Sequence, residues 1–521
     1  MQSEAVQIRA ALRNSLFVAL DGSDENDGSL EEPYATVEKA RDTIRDWKAN
    51  GLIPEGGVTV YIRGGLYHLS QTFELTEEDS GTADMPIVYR PYGDEKVTFS
   101  GGYDMKLSQF QPVNGDMKNR LKSVDAQNAV VVANLADLGI DDVEAVSTDK
   151  SGNRYNLYAP MMEMDGERMN LARYPNSDLR TDRPNVKVTR TSAPPIVTYT
   201  DEAFSTWTYQ PDQIWYLGYW QYEWAAEYVQ GTIDSSAKTL TFTTDFNYDS
   251  LSANYSAPIR AFNIYEEIDE PGEWYIDRAN GKLYIYPVDG SNADSTVTMT
   301  HVDFDLFQLN NASNITLQGL EIKGSRGYGV VIDGGTNNKV ENCDIHLFEN
   351  KAVDIKGVNS YNNGVNNSKI YHCGFGAANL NGGDTASLTL SENYITNSEI
   401  FDFSMMREVY APGVGLGGAG NILSHNDIYN CAHQAVSLSG VLNVIEYNKL
   451  HNVCRNAADM GAIYLGRRLT DQENTIRYNH FYDVGDFGTK SFYSCCVFTD
   501  DGDCNTVVYG NVAGPNVPNS Q

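Results

Sequence analysis

Between residues 314 and 513 one nine-residue theme recurs eight times, and this recurrence restricts what the 521-residue chain can fold into more than any other feature. The copies read NITLQGLEI, NKVENCDIH, NSKIYHCGF, NSEIFDFSM, NILSHNDIY, NVIEYNKLH, NTIRYNHFY and NTVVYGNVA. They begin at Asn314, Asn338, Asn367, Asn397, Asn421, Asn443, Asn474 and Asn505, at intervals of 24, 29, 30, 24, 22, 31 and 31 residues. Self-similarity of this kind marks a solenoid in which each repeat contacts only its neighbours. Apolar residues alternate along short stretches of each copy, which points to strands rather than helices. Coils of short strands joined by Asn/Gly turns predict a parallel β-helix. Asn tolerates left-handed turn geometry, and stacked turns let its amide bond the equivalent side chain one coil away.

The solenoid needs an end, and residues 1–104 supply one. A helix is expected from about Thr36, with Val37, Ala40, Ile44 and Trp47 on one face and Gly51 after it. Such a helix plugs the open first coil, whose backbone would otherwise stay unpaired. VTVYIRG, FELTE, IVYRPYG and VTFSG then read as the first coils. Residues 105–300 lack the Asn theme and read as an inserted antiparallel β domain, with hairpin turns at Asp165-Gly166 and Asn280-Gly281. Residues 301–521 form the main coils. The fold class expected is all-β: a right-handed parallel β-helix with an N-terminal capping helix and an inserted antiparallel domain.

Composition narrows the partners. With 38 basic against 70 acidic residues, the net charge of −32 opposes non-specific binding to nucleic acid or anionic lipid. No apolar run is long enough to span a bilayer. The opening MQSEAVQIRAALRNS lacks the apolar centre of a secretion signal, so the protein is cytoplasmic or its sequence begins after a removed signal. Seven cysteines, with Cys495 and Cys496 adjacent, form neither a disulfide framework nor a zinc pairing and read as free thiols. GVGLGG at 413–418 fits a dinucleotide pattern, but no helix pattern follows it, and it reads as a turn. The sequence leaves the oligomeric state open.

What remains for chemistry is carboxylates. NAADMGAIYLGRR (456–468) brackets a buried strand between Asp459 and the pair Arg467 and Arg468. FTDDGDC (498–504) brings Asp500, Asp501 and Asp503 one coil later. Asp459 and Asp500 are 41 residues apart in sequence, yet stacked coils lie only about 4.8 Å apart. Carboxylates concentrated on one face repel, which raises one pKa while another stays ionised, the division that acid and base roles require. Stacking GAIYLGR in register on CVFTDDG from Cys496 leaves Asp459 and Asp500 at opposite ends of their strands, so a bend must bring them together. Tyr464 and His433, on neighbouring coils, are placed in the same groove. Trp220 and Trp224, from a tryptophan cluster in the insertion, are candidates to stack on sugar faces.

DMGAIYLGR, NTIRYNHFYDV and VFTDDG with VYGN resemble the right-handed β-helix glycosidases of glycoside hydrolase family 141, which includes α-L-fucosidases and xylanases active on plant cell-wall glycans. The resemblance extends to VALDGSDENDGSLEEPYATVEKARDTIR at the front and to ERMNLARYPN, WYLGYW and DEPGEWYIDRANGKLYIYP in the insertion. It implies an oligo- or polysaccharide substrate and a catalytic pair made of Asp459 and either Asp500 or Asp501. Arg467 or Arg468 then donates to sugar hydroxyls or holds a carboxylate ionised. Two departures stand out. DMGAIYLGRRL replaces the DAGAIYTGRDW of such proteins, and the chain ends at PNVPNSQ where relatives usually continue with further coils.

Two-carboxylate hydrolysis implies no metal or other cofactor. One alternative is a polysaccharide lyase or uronate epimerase, with calcium on Asp500, Asp501 and Asp503 or a basic groove neutralising the uronate. The other is a non-catalytic glycan-binding solenoid.

Overall fold

The computed structural model describes residues 14–141, 143–148, 154–177, 186–187, 195–211, 214–246, 257–485 and 494–517. Three long parallel sheets of eleven, ten and nine strands run the length of the solenoid. The first sheet starts at Ser15–Val18 and ends at Val507–Tyr509, and the second runs from Gly65–His68 to Val512–Ala513. The third runs from Phe73–Thr76 to Ser494–Asp500. Each coil contributes one strand to each sheet, and Leu317, Val340, Val365, Ile395, Leu423, Ile445 and Ile476 fall in line, fully buried, through the first. This is the parallel β-helix that the repeat predicts.

The repeat asparagines divide two roles between them. Asn314, Asn367, Asn397 and Asn505 adopt φ between 49° and 57° and turn the chain. Asn338, Asn421, Asn443 and Asn474 are fully buried and build a ladder. In that ladder the Asn421 backbone N–H and side-chain Nδ2 both donate to Asn443 Oδ1, at 2.8 and 3.2 Å, and the Asn443 N–H donates to Asn474 Oδ1 at 3.0 Å. A second ladder, Asn426 to Asn448 to Asn479 to Asn511, runs alongside. A buried amide costs free energy unless it is bonded, and stacking identical side chains satisfies each one with its successor.

The capping helix spans Val37–Ala49, with the Thr36 hydroxyl accepting from the Lys39 N–H and with Val37, Ala40, Ile44 and Trp47 buried. An eight-stranded and a seven-stranded sheet, almost wholly antiparallel, lie between Tyr103 and Met299. Their hairpins turn at Asp165-Gly166 (φ 51° and 83°) and before Gly281 (φ 60°). GVGLGG contributes the short strand Val414–Leu416 to the third sheet and turns only after it. All seven cysteines are free, four of them buried. Among the described residues no helix is long and apolar enough to cross a membrane.

Trp220 is not a sugar platform. It is 1% exposed, stacked on Phe246 at 4.3 Å inside the insertion's own core. A cluster of tryptophans in sequence does not tell which ring the insertion's sheet will cover.

Candidate active site

Strand Met460–Gly466 lies in the third sheet between Val436–Leu438 and Ser494–Asp500. Its register is Gly461 opposite Cys495 and Gly466 opposite Asp500, one residue away from the alignment expected from sequence. Two glycines make this stacking possible. A Cβ on Gly461 would sit 2.8 Å from the Phe498 backbone N, and one on Gly466 (φ 143°) would sit 2.2 Å from the Asp500 carbonyl oxygen. The chain therefore closes tightly on its neighbour at both ends of the strand.

Beyond Gly466 the backbone turns through Arg467, at φ 64°, whose N–H donates to the carbonyls of both Asp500 and Asp501. This turn swings the guanidinium over the neighbouring strand, where Nε donates to Asp500 Oδ2 at 2.7 Å. The Tyr464 hydroxyl donates to the same oxygen at 2.6 Å, and its ring stacks on Phe498. Burial alone would raise the Asp500 pKa, but the hydrogen bonds from Tyr464 and Arg467 and the guanidinium charge outweigh it and hold the carboxyl below its usual range. Burial and the bond to Asp500 push the Tyr464 hydroxyl up to about 12, so it stays a donor. Asp501 is 81% exposed, with its carboxylate 3.8 Å from Arg467 Nη2. Of the Asp-Asp pair, Asp500 is thus the member that the fold holds.

Asp459 enters from the other end. It adopts φ 61°, which breaks the strand direction just before Met460, and it stands open to solvent. The loop before it is fixed by the insertion, because the Ala458 N–H donates to the Glu223 carbonyl at 3.0 Å. Burial raises the Asp459 pKa first and the charge of Asp500 raises it further, with Arg467 opposing. The positive φ of Asp459 puts a bend before the strand, and the environments of the two carboxylates differ. One is pushed toward its protonated form and the other toward its ionised form.

The remaining expected residues separate. Trp224 is half-buried and stacks on Tyr222 at 4.8 Å and 12°, on the segment whose Glu223 carbonyl holds Ala458. Tyr222, 37% exposed, joins the site although sequence reasoning passed over it. His433 does not line a groove. It is 2% exposed, its pKa is driven down to about 3 by burial, and it packs edge-on against Tyr410. Arg468 is exposed and its carbonyl closes a turn by accepting from the Asp471 N–H.

Among the described residues one group has metal-ligand spacing, and it lies elsewhere: Glu163, His346 and His372, all buried. Lys323 Nζ stands 3.2 Å from Glu163 Oε1 and takes the place of a cation there. Asp500, Asp501 and Asp503 do not converge as a ligand set; the Asp503 N–H instead closes a turn on the Asp500 carbonyl.

Comparison with known proteins defines the class. Residues 283–405 match the family model described as right handed beta helix region. A solved structure titled "Glycoside hydrolase" superposes with a TM-score of 0.70 at 16% identity, covering 97% of this chain and 96% of that one, which shows a common fold. Pectate lyase PEL9 of Emericella nidulans is 33% identical over 92 residues, 18% of this chain and 20% of that protein. The uncharacterized protein YwoF of Bacillus subtilis is 28% identical over 134 residues, 25% of this chain and 24% of that protein. The chain thus aligns with about a fifth to a quarter of each curated relative, and what defines it is the right-handed β-helix architecture.

Proposed function

We propose that the protein is a glycoside hydrolase acting on plant cell-wall type glycans, in the manner of an α-L-fucosidase or xylanase. Asp459 is the general acid that protonates the departing glycosidic oxygen. Asp500 is the carboxylate that activates water or attacks the sugar. One observation carries this reading: Asp500 is held ionised by Tyr464 and Arg467, while Asp459, within reach of its charge, is pushed up. An acid and a base of the same residue type, separated by environment, is what hydrolysis needs. The Tyr222–Trp224 stack beside the Asp459 loop offers a flat apolar face for a sugar ring. The full-length likeness in fold to a glycoside hydrolase is compatible with it.

A second reading, β-elimination or epimerisation of a uronate, is favoured by the local kinship with a pectate lyase. A screen on aryl glycosides and plant polysaccharides separates the two. Hydrolysis releases reducing ends without new ultraviolet absorbance and survives chelation. Elimination yields an unsaturated, absorbing product, and a calcium requirement would favour it.

A further inference from the structure

The inserted domain and the loops of the solenoid enclose a cleft of about 400 Å3, large enough for one sugar ring. Three arginines reach it from the insertion: Arg168 on strand Glu167–Leu171, Arg173 on Arg173–Tyr174 and Arg260 on Ile259–Phe262. Arg455 adds a fourth guanidinium from the solenoid side, with Nη1 donating to Asn452 Oδ1 at 2.7 Å. Two carboxylates oppose these four cations, Asp402 and Glu408. Glu408 is already engaged, accepting from Arg260 Nη1 at 3.1 Å and from Asn456 Nδ2 at 3.0 Å.

The surplus is unpaired as well as numerical. Arg168 Nε and Arg173 Nε are buried atoms without a hydrogen-bond partner. Burial lowers the pKa of both arginines, that of Arg173 to about 9; Asp402 opposes this at Arg168, while the guanidinium of Arg260 lowers both further. Glu273, which Arg173 also feels, is pushed up by its own burial to about 8, so it offers little compensation. A guanidinium nitrogen buried without a partner is costly, and a chain with a net charge of −32 had ample carboxylates with which to bond it. The planar fork of arginine fits a carboxylate or an ester oxyanion in bidentate fashion.

We propose that this cleft binds the anionic group, carboxylate or sulfate ester, of an acidic sugar. Its wall includes Asn456, three residues before Asp459 on the same loop, so the anionic sugar sits next to the one that reacts. Local charge here runs opposite to the net charge, which is why composition alone points toward neutral substrates. Binding is read without turnover, so the failure of this proposal and the failure of the hydrolytic reading are distinguishable.

The test is calorimetric titration at low ionic strength with D-glucuronate, D-glucose 6-sulfate and D-glucose. The expected result is that at least one anion binds while glucose does not. Glucuronate alone assigns a carboxylate, and the sulfate alone assigns a sulfated sugar. Arg168→Gln/Arg173→Gln should weaken the anion by roughly tenfold or more. Its unfolding midpoint should stay level or rise, because two incompletely bonded cations are gone from a cluster of like charge. Arg168→Lys/Arg173→Lys, which keeps the charge but not the fork, should fall between and serves if the first variant fails to fold. Equal binding of glucose, no binding of either anion, or undiminished anion affinity in the double variants would overturn the proposal.

Discussion

Glu163 and Asp500 are both carboxylates bonded to cations, but one is sealed inside a domain junction and the other sits on an open rim. Glu163, 1% exposed, accepts from His346 Nδ1 at 2.9 Å and Lys323 Nζ at 3.2 Å. Lys323 also donates to Thr298 Oγ1 at 2.8 Å, while His346 Nε2 stands 3.4 Å from Glu321 and its ring stacks on Tyr371. This junction ties strand Met162–Met164 of the insertion to the second sheet of the solenoid. Around Asp500 the partners are fewer, Arg467 is 68% exposed, and at the second carboxylate, Asp459, the charge of Arg467 does not outweigh burial and Asp500, so its pKa stays raised. Closed ionic networks of the first kind define a structure. Open and unevenly titrated ones of the second kind are where protons can be exchanged with a ligand. The two regions should therefore respond to substitution in opposite currencies, stability against turnover.

The largest effect is expected at the rim. Asp459→Asn and Asp500→Asn are nearly isosteric and should each lower kcat by about 10²–10⁴-fold, the usual contribution of a positioned acid or base. Thermal unfolding should barely move. Asp501→Asn, at an 81% exposed side chain, should stay near wild-type. Rates on the most active substrate of the screen decide it. Near-wild-type turnover in both the Asp459 and Asp500 variants, or a dead Asp501 variant beside a live Asp500 one, would reassign the pair.

At the junction the ranking reverses. Glu163→Gln removes the carboxylate shared by His346 and Lys323 and leaves them the more distant Glu321, 3.4 Å from His346, and Asp104, 3.6 Å from Lys323; breaking such a buried pair costs about 3–5 kcal/mol. Its denaturation midpoint should fall while kcat of the folded enzyme holds. A variant that loses activity but not stability would erase the distinction between the two regions.

The pH dependence of stability follows from the same junction. Burial opposes the charge of Glu163, but His346 and Lys323 outweigh it, and its pKa lies well below 4.5; its contribution is present above that value and is lost as pH falls through the depressed one. Burial likewise opposes the charge of His346, but Glu163 raises its pKa from 6.5 to about 9; its contribution is complete below 6.5 and is lost as pH rises through about 9. Thermal stability should therefore be greatest from about pH 5 to 6.5 and decline on both sides. Glu163→Gln should flatten both limbs, which a melting series across pH reads directly. Unchanged limbs would place the pH dependence elsewhere.

The same contrast explains what could be read in advance. Coils were legible because each Asn theme is one coil, and the helix at Val37–Ala49 because its cap and apolar face are local. Asp459 and the TDDG turn stand out as candidates because motif and stacking point to the same two adjacent coils. The register was misplaced by one residue because nothing in CVFTDDG marks which residue faces Gly461; only the close approach at Gly461 and Gly466 fixes it. Trp220 could not be told from Trp224 because burial is decided by how the insertion's sheet packs. The Glu163 junction and the arginine cleft were invisible because their members come from strands far apart in sequence, each ordinary on its own.

The smallest effect tests how the rim sets its own proton balance. Tyr464 donates to Asp500 Oδ2 at 2.6 Å, and this bond is among the interactions that lower the Asp500 pKa. Tyr464→Phe keeps the ring stacked on Phe498 and removes only the hydroxyl, so Asp500 should become easier to protonate. A base that must be ionised then loses activity at a higher pH, and the acid limb of kcat/KM should move upward while the limb set by Asp459 moves little. One hydrogen bond to a charged group is worth about 1.5–3 kcal/mol, a shift of roughly one to two pH units at most, with Arg467 retaining part of the hold. Arg467→Gln should move the same limb in the same direction. If both variants leave the acid limb in place, Asp500 is not the group that must be ionised, and the roles of the two carboxylates exchange.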